Sequence, residues 1–206
     1  MGKVLVIDYG MGNTDSVIRA VEECGGEPIL SNSKSDFELA SHIILPGVGA
    51  FQTGIKHIND LGIKPILEEQ VFKYHIPFLG ICLGMHLLAD KGFENGETIG
   101  LGWIEGRVEK FEKTENDQKI PHIGWNEVHF EKKTSIFEGL KSGKDYYFVH
   151  SYHFIINNPS QIIATTPYCG GFVSAVKKDN IFGVQFHPEK SQKMGFAVLK
   201  NFLSLA

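Results

Sequence analysis

The stretch KVLVIDYGMGNTDSVIRAVEECGG, residues 3–26, decides the fold. Residues 3–8 read as a strand whose centre, Val4 to Ile7, is an unbroken apolar run, as expected of a strand buried on both faces. A glycine-rich turn, residues 9–13, follows it. Over residues 14–24 the apolar side chains Val17, Ile18, Val21 and Cys24 then share one helical face. Gly25 and Gly26 stop the helix, because glycine takes the left-handed cap without a steric penalty. Strand, glycine turn and helix make the opening unit of a parallel α/β sheet.

Outward from this unit the alternation continues. Apolar runs at 27–30 and 42–45 predict two more strands, with a short helix in the polar stretch 31–40 between them. Residues 63–73 are helical in pattern, and 77–81 predict a fourth strand. After Gly92 the texture changes to strands at short intervals: 103–111, 125–130, 146–149, 152–156, 162–166, 172–176 and 181–185. These are expected to add antiparallel strands to the sheet. A last helix is expected over 192–205, with Met194, Val198, Leu199 and Phe202 at helical spacing. There is no repeat or low-complexity tract, and the polar loop 113–119 is too short to divide domains. The expected fold is a single α/β domain over residues 1–206.

Composition narrows the function. A net charge of −4 and only two arginines, Arg19 and Arg107, speak against a nucleic-acid or anionic-membrane binder. No apolar run approaches the roughly 18 residues of a membrane span. The N-terminus lacks a signal-peptide pattern, and Gly2 is not followed by Ser or Thr at residue 6, as myristoylation requires. The three cysteines, Cys24, Cys82 and Cys169, form no CxxC, which argues against a disulfide framework or a zinc site. The expected compartment is the cytoplasm, where a free thiol stays reduced. Gly10-Met11-Gly12 lacks the third glycine of a dinucleotide fingerprint, and no metal or organic cofactor is expected.

Gly80-Ile81-Cys82-Leu83-Gly84 lies between the strand 77–81 and a helix expected from Leu83. This is the G-x-nucleophile-x-G elbow with cysteine in the nucleophile's place. A sharp strand-to-helix turn exposes the central side chain, and the flanking glycines let the two elements approach. The helix is expected to aim its positive end at the sulfur. The plainer alternative is that Cys82 is a small buried hydrophobe. Cys24, on an apolar helix face, and Cys169, in a turn, read as structural.

A thiol attacking an amide needs a base that takes its proton and later protonates the leaving group. His187, at the exit of strand 181–185, suits that task. Glu189, just beyond Pro188, can fold back to orient the ring. His150 and His153 are the runner-up bases; His42, His57, His75 and His129 carry no special context. Pro46-Gly47-Val48-Gly49 follows the strand 42–45, where exposed backbone amides could stabilise an oxyanion together with the Leu83 N–H. Pro-Gly is equally an ordinary turn.

Six segments in order, IDYGMGN (7–13), LPGVGAF (45–51), GICLGM (80–85), PHIGWN (121–126), YFVHSY (147–152) and GVQFHPEKSQ (183–192), resemble those of the class I, triad-type glutamine amidotransferases. The resemblance is strongest to the branch whose members are glutaminase subunits in histidine biosynthesis. It implies a flavodoxin-like three-layer sandwich with a mixed, mainly parallel sheet. It also implies Cys82 as nucleophile, His187 as base and Glu189 as orienter, with Val48 and Leu83 as oxyanion donors. Gly49, His86, Ser151 and Tyr152 would then line a glutamine pocket. Ammonia would pass to a partner (β/α)₈ synthase or cyclase in a heterodimer, met by the loops 9–13 and 121–126 with Asn13 and Trp125. Two positions depart from the pattern. His86 stands where the family usually has glutamine, which would put a titratable group on the pocket, and Asp15 replaces a common basic residue. A paralogous branch, which feeds sugar-aminating enzymes of cell-surface polysaccharides, is similar as well. A stand-alone γ-glutamyl or peptide hydrolase and a non-catalytic binding module are the readings of other classes.

Overall fold

The computed structural model describes residues 2–115, 119–131 and 134–205. Part of the polar loop 113–119, residues 116–118, lies outside them. Among the described residues thirteen strands run in chain order: β1 (Lys3–Ile7), β2 (Glu27–Ser31), β3 (Ala40–Leu45), β4 (Phe78–Ile81), β5 (Ala89–Gly92), β6 (Thr98–Ile99), β7 (Ile104–Lys110), β8 (His122–Val128), β9 (Lys144–His150), β10 (Tyr152–Ile156), β11 (Ile162–Thr166), β12 (Phe172–Lys178) and β13 (Ile181–Val184). The α-helices are α1 (Thr14–Glu23), α2 (Lys34–Leu39), α3 (Phe51–Asp60), α4 (Lys64–Glu68), α5 (Leu83–His86) and α6 (Gln192–Leu203).

The main sheet has seven strands in the order β11-β12-β13-β4-β3-β1-β2. The five from β13 to β2 are parallel, and β11 and β12 close one edge antiparallel. The unbroken apolar run of β1 has a simple cause: its side chains alternate between two cores. Val4 and Val6 join Val17 and Val21 of α1 and Val198, Leu199 and Phe202 of α6 on one face. Leu5 and Ile7 meet Ile55 and Ile58 of α3 and Leu67 of α4 on the other. All four strand residues are at most 1% exposed. Burial on both faces is what covering helices impose on a parallel sheet.

Only part of the antiparallel half joins this sheet. β10, β7, β5 and β6 form a separate four-stranded sheet, and β8 pairs with β9 alone. The reason is in the strands themselves. Ile104, Gly106 and Val108 of β7 are buried while the residues between them are exposed or half-buried. A strand with one wet face cannot sit inside a sheet covered on both sides. Helix α3 goes beyond the sequence reading, although Phe51, Ile55 and Ile58 carry the i, i+4, i+7 pattern. The helix expected over 63–73 is α4 continued by a wider π-type turn, Glu69–Lys73. Among the described residues, no helix is long and apolar enough to cross a membrane.

The architecture brings the carboxyl ends of three neighbouring strands together. β3 leads into the loop 46–50, β4 into Cys82, and β13 into Gln185 and His187. A crevice beyond the carboxyl ends of such strands is where open α/β sheets bind ligands. The elbow fits there only without side chains on its glycines. A Cβ on Gly84 would lie 1.9 Å from the Leu45 carbonyl oxygen, and one on Gly80 2.6 Å from that of Gly84. Gly84→Ala is therefore expected to cost roughly 3 kcal/mol, since the clash is with backbone rather than a movable side chain. Urea unfolding measures this; a cost within about 0.5 kcal/mol of zero would contradict the packing.

Candidate active site

Cys82 occupies a backbone conformation, φ 53° and ψ −107°, that residues with a Cβ rarely adopt. Such strain costs on the order of 1–3 kcal/mol and persists only where the surroundings impose it. Here they do so from both sides: Cys82 N–H donates to the Val184 carbonyl at 2.8 Å, and Leu83 N–H donates to the Gly47 carbonyl at 3.3 Å. The Cys82 carbonyl accepts from Met85 and His86 at 3.0 and 3.2 Å. The helix expected to aim a dipole at the sulfur is a single turn, Leu83–His86, so it offers local amides rather than a macrodipole.

His187 and Glu189 come together as the spacing implies. His187 Nδ1 lies 2.7 Å from Glu189 Oε1, and both side chains are almost fully buried, 3% and 2% exposed. The carboxylate fixes Nδ1 as the protonated nitrogen. Among the described residues the buried Nε2 makes no hydrogen bond of ordinary length, and Cys82 is near enough to act on the ring. Burial opposes a charge on His187. The neighbouring Cys82 and the hydrogen bond to Glu189, with the charges of both, outweigh it and raise the imidazole to about 10. The backbone here is pinned. His187 N–H donates to the Tyr147 carbonyl at 2.9 Å, and buried Ser191 bridges the His187 carbonyl at 2.6 Å and the Tyr147 N–H at 3.0 Å.

Seven of the sequence-predicted residues line one cleft of about 460 Å³: Val48, Gly49, Cys82, Leu83, His86, Ser151 and Tyr152. His187 and Glu189, with buried side chains, are not among its lining residues. Asn13 and Trp125 do not reach it. Asn13 is exposed at the start of α1, and Trp125, 47% exposed on β8, packs edge-on against Tyr147. The loop 9–13 nonetheless touches the cleft's rim, since a Cβ on Gly12 would lie 3.5 Å from the Gly47 backbone.

The runner-up bases are committed elsewhere. His150 Nδ1 donates to the Tyr152 carbonyl at 2.8 Å, so its Nε2, 3.0 Å from His122 Nδ1, is the acceptor. His122 Nε2 in turn takes a proton from Asn126 Nδ2 at 3.2 Å. The three bonds run in one direction, and burial holds His150 well below the ordinary range. His153 stacks on Phe111.

Three residues escaped the sequence reading. Glu94 places a carboxylate on the cleft, with one oxygen accepting the Phe51 N–H at 2.8 Å. Ser191 ties His187 to β9, as above. Gln185 is buried on the strand exit, its Nε2 3.8 Å from Cys82 Sγ and its Oε1 2.5 Å from His86 Nε2. An amide just before His187 in an otherwise apolar strand was the available signal. His86 lines the cleft as expected, but it does not bring a charge there. Burial lowers it to about 4, with the Gln185 bond opposing and the nearby His153 charge assisting. Neutral His86 donates from Nε2, because an amide oxygen can only accept, and this turns the Gln185 amino group towards the sulfur.

Two pH dependences follow, of opposite sign. A histidine raised to about 10 adds stability that is complete below its unfolded value, about 6.5, and is lost as pH rises through about 10. Glu189→Gln removes one of the raising causes, so its deficit against the parent protein in urea unfolding should be largest near pH 6 and shrink towards pH 10. A deficit independent of pH would contradict the charged pair. Depressed His86 acts in the other direction, weakening the fold as pH falls from about 6.5 through about 4. His86→Gln should therefore lose less stability on acidification than the parent; equal acid sensitivity would show that His86 is not buried neutral.

Known proteins resemble this chain over nearly its full length. The family model for glutamine amidotransferase class-I matches residues 5–205. The imidazole glycerol phosphate synthase subunit HisH of Pelagibacter ubique is 43% identical over 206 residues, covering 98% of this chain and 99% of that one. The protein of the same name from Aquifex aeolicus is 45% identical over 204 residues, covering 97% and 95%. Among solved structures, PurLQS from Thermotoga maritima matches with a TM-score of 0.73 at 18% identity, covering 98% of each chain. A glutamine amidotransferase from Thermotoga maritima matches at 0.64 and 20% identity, covering 94% of this chain and 78% of that one. These structural likenesses carry the fold; full-length identity above 40% and the family model carry more, and the chain belongs to the class-I glutamine amidotransferase family.

Proposed function

We propose that the chain is the glutaminase subunit of a heterodimeric synthase, with residues 1–206 acting as one catalytic domain in the cytoplasm. The observation that carries the reading is the line Glu189, His187, Cys82: a bonded and oriented imidazole whose free nitrogen faces a strained cysteine. Cys82 Sγ attacks the carboxamide carbon of glutamine while His187 holds the thiol proton. The tetrahedral oxyanion collapses, the C–N bond breaks, and His187 protonates the departing ammonia. Water then adds to the γ-glutamyl thioester with His187 taking its proton, and glutamate leaves as the proton returns to sulfur. Ser151, Tyr152 and Gly49 would hold the amino acid, and the Glu94 carboxylate suits its ammonium group. His86 acts through Gln185 as a positioning residue.

The oxyanion donors are Val48 and Leu83 in this reading, and Leu83 N–H is already occupied by the Gly47 carbonyl. The loop 46–50 must therefore give up that bond before the donor is free, which makes the chain a slow glutaminase until a partner shifts the loop. The loop 9–13 touches loop 46–50 through Gly12 and Gly47, and Asn13 and Trp125, both exposed, are proposed to meet the partner. The partner is proposed to be a (β/α)₈ cyclase that takes the ammonia into imidazole glycerol phosphate in histidine biosynthesis, by analogy with the HisH relatives.

In the test, Cys82→Ala should retain the fold and the complex and lose hydrolysis by at least about a thousandfold, the scale for removing a covalent nucleophile. The parent chain should be nearly inert alone and strongly stimulated by the cyclase with its ribonucleotide substrate. Hydrolysis that survives in Cys82→Ala would overturn the mechanism. Full activity without a partner would replace the subunit reading by a stand-alone hydrolase, and stimulation by a sugar-aminating enzyme alone would move the chain to that pathway.

A further inference from the structure

Tyr9 has no part in the chemistry above, yet it stands at its most sensitive point. The side chain is 1% exposed, and its hydroxyl is buried without a hydrogen-bond partner among the described residues. A buried hydroxyl left unpaired is unfavourable, and where one is retained it usually has a partner in another state of the protein. The hydroxyl lies against Gly47: a Cβ built there would sit 2.4 Å from Tyr9 Oη and 2.9 Å from Leu83 Cβ. Gly47 is also the residue whose carbonyl blocks the Leu83 N–H, at 3.3 Å. Freeing that N–H for an oxyanion strands the Gly47 carbonyl, a buried acceptor, in the same place as an unpaired donor. Tyr9 remains a phenol and not a phenolate there, because burial, with the Cys82 charge assisting, pushes its ionisation far up.

We propose that Tyr9 is a latch for the active form: as Gly47 releases Leu83, the Tyr9 hydroxyl donates to the Gly47 carbonyl and holds the loop 46–50 open. One bond is exchanged for another, so the count of hydrogen bonds is kept while Leu83 N–H becomes available to the substrate. Tyr9 opens the loop 9–13, whose Gly12 packs on Gly47, so whatever presses on that loop acts directly on the latch. His57 Nδ1, 2.9 Å from the Tyr9 carbonyl, anchors the backbone from which the phenol reaches over.

This inference rests on the glutaminase reading and deepens its regulation. The test is Tyr9→Phe in the complex with the cyclase partner. The variant should melt at or above the parent's temperature, because only an unpaired hydroxyl is lost. Its stimulated kcat for glutamine should fall about tenfold with KM changed less than about twofold, while iodoacetamide alkylates Cys82 at the parent's rate. An unchanged kcat would overturn the latch, as would a clear loss of stability, which would mean that the hydroxyl is already bonded at rest. Slower alkylation in step with kcat would overturn it too, placing Tyr9 on the sulfur instead of the loop. A parent complex that does not hydrolyse glutamine would overturn the glutaminase reading itself, and the latch with it.

Discussion

The strained turn at Cys82 is the constraint on which the rest of this structure depends. A residue with a Cβ is held at positive φ by hydrogen bonds to strands on either side, through Val184 on β13 and through Gly47 at the end of β3. Those bonds form only if β13, β4 and β3 are neighbours in that order and if α5 approaches closely enough for Gly84 to touch the Leu45 carbonyl. Sheet order, helix approach and the placement of Cys82 at the cleft are therefore one arrangement. The two cores that sandwich the sheet supply the rigidity that keeps the strain from relaxing.

Around that turn the polar groups divide by how they are satisfied. His187, Glu189, Ser191 and Tyr147 form a connected set of hydrogen bonds that gives the ring one orientation. The Asn126, His122, His150 and Tyr152 chain is likewise continuous, and it supports the wall of the cleft next to Ser151. The side proposed to hold the oxyanion is different. The Leu83 N–H, proposed as oxyanion donor, is bonded to Gly47, and the neighbouring Tyr9 hydroxyl is unpaired among the described residues. In the proposed mechanism the base is already oriented while the oxyanion donor is still occupied, the pattern of a site that a partner can switch.

Much of this was legible in the residues. The strand, glycine turn and helix of residues 3–26 appear as β1 and α1, and the elbow and His187-Pro188-Glu189 meet as their spacing implies. The second half was harder, because half-buried strands such as β7 and β8 read like edge strands of the main sheet; their wet faces were the clue that they belong elsewhere. Helix α3 was obscured by the glycine loop running into Phe51. Gln185 and Glu94 could not be assigned from pattern, since their meaning lies in contacts across 99 and 43 residues of sequence. His86 was legible as a departure from the family, but only its burial shows that it stands there neutral.

The central claim, that Cys82 is the single nucleophile, is tested most directly by labelling with the glutamine analogue 6-diazo-5-oxo-L-norleucine and mapping the adduct by mass spectrometry. The account predicts one label per chain, confined to the peptide that carries Cys82, with hydrolysis lost in proportion to labelling. A label on Cys24 or Cys169, or a fully labelled Cys82 with hydrolysis intact, would contradict it.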